Sequence, residues 1–164
     1  WILDIGQVDD TVVAVGSSPQ GDRPVVYRAD DLYGAWSEVR VGDLLPPVDQ
    51  QQPRLWLNSA AVGPGGVAIN FVGEGDASGG NPVGDILGRL IPGRADEEVA
   101  GRMTQASVLL VSRDLAAWNV VPGGDTGGAI DTLTFNPAGD LIATFSSFEN
   151  GQAQRFSARA TPSP

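Results

Sequence analysis

The sequence predicts an all-β chain of about three repeated antiparallel units, interrupted by one short helical insertion. Three observations predict it. Short runs of β-branched and aromatic residues alternate with Gly, Pro, Asp and Asn clusters, the pattern of strands joined by tight turns. Hairpins of this kind recur along the chain. After each of the first two comes the same longer element, a strand, an Asp-Leu turn and a Trp that opens another strand.

The first hairpin joins Ile2-Leu-Asp-Ile5 to Thr11-Val-Val-Ala-Val15 through a turn around Gln7 to Asp10. The second joins Leu57–Val62 to Val67–Val72 through Gly63-Pro-Gly-Gly66. The third joins Asp131–Phe135 to Leu141–Phe145 through Asn136-Pro-Ala-Gly-Asp140. The recurring longer element runs from Pro24 through Asp31 to Trp36, and again from Ser107 through Asp114 to Trp118. Ser146 to Phe156 reads as a third, degenerate copy, with Asn150-Gly151 as a two-residue turn. Four-stranded units repeated two and a half to three times suggest the blades of a β-propeller.

The insertion covers about 74–105. Its helix is written in Val83, Ile86, Leu87, Leu90 and Ile91, which fall on one stripe at helical spacing. Asn81 suits the N-cap and Pro82 the first turn, and Pro92-Gly93 ends it. A second helical turn is expected near Ala95 to Met103. The domain is expected to span 1–156. Ser157 to Pro164 loses the apolar alternation and reads as a tail or linker.

Composition removes several chemistries. The 164 residues carry 20 acidic and 10 basic side chains, a net charge of −10. All the basic residues are Arg; there is no Lys, His or Cys. Ser-His-Asp and Cys-His catalysis therefore have no base, and zinc, copper and iron–sulfur sites have no ordinary ligands. A Schiff base has no amine. The negative charge opposes nucleic-acid binding. No apolar run is long enough to span a bilayer as a helix. The chain starts at Trp1 rather than Met, as a processed protein or a piece of a longer polypeptide would. Calcium is the one metal its carboxylates suit, at Asp9-Asp10, Asp30-Asp31 or the Glu74/Asp76 loop. None of these follows the EF-hand pattern, and solvated turn carboxylates are the ordinary alternative. No cofactor is expected.

The Trp-containing element resembles the Asp-box of sialidase-like (BNR-repeat) propellers, roughly Ser-x-Asp-x-Gly-x-Thr-Trp between the third and fourth strands of a blade. Ser112, Asp114 and Trp118 match its Ser, Asp and Trp, one residue short and without the Gly. Asp31 and Trp36 keep the family spacing, with Ala29 at the Ser position. Ser147, Glu149 and Gly151 match the front half of a third copy. The resemblance implies a structural role for these residues, the carboxylate holding turn amides and the Trp packing between sheets.

The resemblance also implies a glycosidase with an arginine cluster, a Tyr–Glu pair and an acid. The only tyrosines, Tyr27 and Tyr33, lie in or beside the first Asp-box, and no spacing selects a carboxylate pair. The expected function is therefore noncatalytic: a binding or assembly scaffold, extracellular or at the cell surface, with protein partners, including copies of itself, or glycans. Trp56, outside the Asp-boxes, is the candidate glycan platform, with core packing as its alternative. A fragment of a sialidase-like hydrolase and a subunit of an extracellular filament are the competing functions. Three blades do not close a ring, so the chain belongs to a longer protein, assembles with copies of itself, or forms a β-sandwich.

Overall fold

A computed structural model of the chain describes residues 1–18, 24–41, 55–73, 106–122, 129–149 and 152–160. The strand-forming runs pair with their neighbours in the chain, so the described residues form antiparallel sheets laid down in sequence order. The first sheet is β1 (Ile2–Val8), β2 (Thr11–Ser17), β3 (Pro24–Ala29) and β4 (Ser37–Val39). The middle sheet is β5 (Leu55–Gly63), β6 (Gly66–Gly73), β7 (Ala106–Ser112) and β8 (Asn119–Pro122). The last sheet is β9 (Ala129–Phe135), β10 (Leu141–Glu149) and β11 (Gln152–Ala160). The all-β class and the three hairpins are those expected from the sequence.

Side-chain alternation assigns each strand face. Val13, Val15 and Val26 of the first sheet point at the middle sheet and meet Val67, Ile69, Phe71 and Leu110 in one core. The opposite face of the middle sheet, with Ala61, Ala68 and Leu109, meets Ile130, Leu133, Leu141, Ala143 and Phe145 in a second core. The middle sheet is therefore covered on both sides. Sheet-to-sheet contact is closest between leading strands, β1 against β5 and β5 against β9. Both seams use a glycine. A Cβ on Gly6 would come within 2.7 Å of the Val62 carbonyl oxygen, and one on Gly63 within 2.7 Å of Phe135 Cβ. Side-chain-to-backbone bonds stitch the same seams. Asp4 Oδ2 accepts the Val62 N–H at 2.8 Å, and Asn58 Nδ2 donates to the Ile130 carbonyl at 2.7 Å.

Three expectations change. Ser147 and Glu149 lie inside β10, the second strand of its sheet, so they are not the counterpart of turns that join third to fourth strands. The last sheet has three strands rather than four among the described residues. The tail does not begin at 157: β11 runs to Ala160, which pairs with Leu141. Backbone pairing carries that strand past the point where its apolar alternation ends. The helix expected within 74–105 lies outside the described residues, as do 161–164. The residues flanking the insertion, Gly73 and Ala106, pair with each other, so it leaves and returns at one end of the middle sheet. No helix among the described residues is long and apolar enough to cross a membrane.

Candidate functional site

The β7–β8 turn shows what Ser112, Asp114 and Trp118 do. Ser112 is buried at the end of β7. Its hydroxyl donates to the Ala117 carbonyl at 2.6 Å and accepts the Leu115 N–H at 3.0 Å. Asp114 Oδ1 accepts the N–H groups of Ala116 and Ala117, each at 2.9 Å. These amides, Ala117 first and then Ala116, hold the Asp114 carboxyl below its ordinary pKa of 3.8. The wrapped turn puts Leu115 at φ 62° and delivers it to the core. Trp118 packs against the same core. All three residues serve the turn and its packing.

The β3–β4 turn is a looser version. Asp31 Oδ1 accepts the Tyr33 N–H at 2.8 Å, and the Gly34 N–H bonds the Asp31 carbonyl at 3.2 Å. Ala29 is buried but has no hydroxyl to tie the turn together. Trp36 is 37% exposed, and Tyr33, three residues before it, is 98% exposed.

Trp56 is half-buried on β5, opposite Val72. It is less exposed than Tyr33 or Trp36, so aromatic surface gathers at the β3–β4 turn rather than at Trp56. Of the calcium candidates, Asp9-Asp10 and Asp30-Asp31 are exposed turn residues, and Glu74/Asp76 lie outside the described residues. No three carboxylates gather into a metal site among the described residues.

Two concavities stand out among the described residues. At the end of the molecule where the β1–β2, β5–β6 and β9–β10 turns meet, a polar hollow of about 320 Å³ is lined by Asp9, Pro64, Arg113 and Asp140. Its carboxylate Asp140 is committed to the fold: it is buried, accepts from Asn136 Nδ2 at 2.7 Å and pairs with Arg159. The other is a shallow groove of about 180 Å³ on the outer face of the first sheet, between Trp1, Ile2, Val25 and Tyr27. Apolar side chains surround it. Trp1 is 86% exposed, Ile2 71%, and Leu3 and Ile5 46% each.

This apolar face lies outside the motifs that the sequence makes conspicuous. Its signal was present in Thr11-Val-Val-Ala-Val15, where both parities of the strand are apolar, the signature of a strand covered on two sides.

No protein-family model matches this chain, and no curated protein matches it.

Proposed function

We propose that the chain is a noncatalytic β-propeller-like scaffold, an arc of blades that works by binding or assembly at the cell surface or outside the cell. The observation that carries this reading is the serial stacking of small meander sheets, leading strand against leading strand, with an apolar face left open at one end of the stack. That arrangement is what a run of propeller blades requires. The Asp-box-like turns at Asp31 and Asp114, both between third and fourth strands, support it further. So does the use of Asp31, Ser112, Asp114 and Trp118 in turn bonding or packing rather than in a reactive cluster. Partners are proteins or glycans. For glycans, Tyr33 and Trp36 offer a better platform than Trp56.

The test is hydrolysis. The purified chain, incubated with sialosides and a panel of aryl glycosides, is expected to release no aglycone above the buffer rate. Turnover that scales with protein concentration overturns the scaffold reading in favour of a sialidase-like hydrolase.

A further inference from the structure

The outer face of the first sheet is patterned like an interior surface. Across it run the rows Ile5, Ala14, Tyr27 and Glu38, then Ile2, Gly16 and Val25, then Gln7, Val12 and Ala29. Only Glu38, on the short marginal strand, is charged. The central strands of the other two sheets differ from each other. β6 sends apolar groups to both sides and is covered on both. β10 sends Leu141, Ala143 and Phe145 inward but Ile142, Thr144 and Ser146 outward, with Arg155 and Arg159 beside them on β11. Thus the described outward side chains of the last sheet are polar except Ile142. The first sheet has the two-sided pattern of β6 with one side uncovered. Leaving Trp1, Ile2, Leu3 and Ile5 in water forgoes the transfer free energy that burial of each would return.

We propose that this face is an interface between two copies of the chain, first sheet against first sheet, related by a two-fold axis. Two observations select this occupant. The described outer side chains of the last sheet are mostly polar, so a head-to-tail contact would desolvate Thr134 and the exposed Arg155 against apolar groups. The face is also self-complementary in kind, apolar on both copies apart from Gln7 and the marginal Glu38, as an isologous contact allows. Strands of six or seven residues spaced about 4.8 Å apart present about 500 Å² of accessible surface per copy, and two copies bury about 1,000 Å², the lower limit of a specific interface. The dimer therefore dissociates on dilution. Each copy carries a charge of −10, and the repulsion is screened by salt, so added salt tightens the association. The proposal rests on the scaffold reading, which the glycoside assay tests separately.

The experiment is light scattering across a dilution series at low and high salt. The expected result is a species of twice 17.0 kDa that gives way to monomer on dilution, with the midpoint moving to lower concentration as salt rises. Ile5→Asp and, independently, Tyr27→Asp are expected to yield monomer at every concentration, with an unchanged far-ultraviolet dichroism spectrum. Both side chains are exposed, so neither change opens a core. Thr134→Asp on the last sheet is expected to leave the mass unchanged. A monomer at all concentrations overturns the proposal. So does open-ended polymerisation, or a dimer that Thr134→Asp disrupts or salt weakens, because each assigns the contact to another surface.

Discussion

Ser112 and Asp114 divide one turn between them, and their removal has different consequences. Ser112 is buried and bonded on both sides, to the Leu115 N–H and the Ala117 carbonyl. Ser112→Ala strands both groups, and a urea titration should show a loss of about 1–3 kcal/mol. Asp114 is exposed, and its contribution follows pH. Its carboxyl titrates lower in the folded chain than in the unfolded one because Ala117 and Ala116 donate to the anion. The stabilisation is therefore present above the unfolded pKa and is lost as pH falls through the lower folded value. Thermal midpoints recorded from pH 6 to pH 2 should drop more steeply for the wild type than for Asp114→Asn at the acid end. Equal slopes would show that the amides do not discriminate the charged form.

The β5–β6 hairpin depends on a glycine for a reason that sequence composition does not reveal. Gly66 has φ +117°, and a Cβ there would lie 2.1 Å from the Ser112 carbonyl oxygen. Gly66→Ala combines strain with a backbone clash, and is expected to lower the unfolding free energy by at least about 3 kcal/mol. Chemical denaturation checks this. The hairpins themselves were legible, because alternation and turn residues are local signals: Leu57 to Val72 specifies both strands and the Pro64-Gly65 turn without reference to the rest of the chain. What failed was equivalence between units. Ser147 and Glu149 have Asp-box identities, yet they continue β10, because a nine-residue register with β11 satisfies their backbone there. The same ladder explains Ser157 to Ala160, small and polar residues that sequence patterning assigns to a tail and backbone pairing holds in a strand. The difference between Trp36 and Trp118 was hidden for a related reason. Two local differences accompany it: a hydroxyl present at Ser112 and absent at Ala29, and one residue fewer between Asp114 and Trp118 than between Asp31 and Trp36.

At the scale of the whole molecule the middle sheet is common to both cores. Ile69 and Leu110 belong to the first core, and Ala68 and Leu109 on the alternate parity belong to the second. The two cores should therefore unfold together. Ile69→Ala, in the first core, and Leu133→Ala, in the second, are each expected to cost about 2–5 kcal/mol and to shift a single common transition followed by tryptophan fluorescence and far-ultraviolet dichroism. Two separable transitions would show that the sheets are independent. The overall order of sheets followed from the order of hairpins. The open face of the first sheet did not, since a hairpin reading assigns one buried side to each strand, and the second apolar parity in Val12 and Ala14 acquires meaning only when the position of the middle sheet is known.

Among the described residues chain order and spatial order coincide: within each sheet every strand pairs with its sequence neighbours, and each sheet packs on the sheet next to it in the chain. This has a consequence for a polypeptide synthesised from its N-terminus. The first sheet can form its ladder as soon as β4 leaves the ribosome, but its valine-rich inner face has no cover until β5 and β6 follow. The middle sheet in turn waits for β9 and β10. Synthesis of this stretch thus passes through a series of half-covered intermediates, each presenting one apolar surface at its growing end.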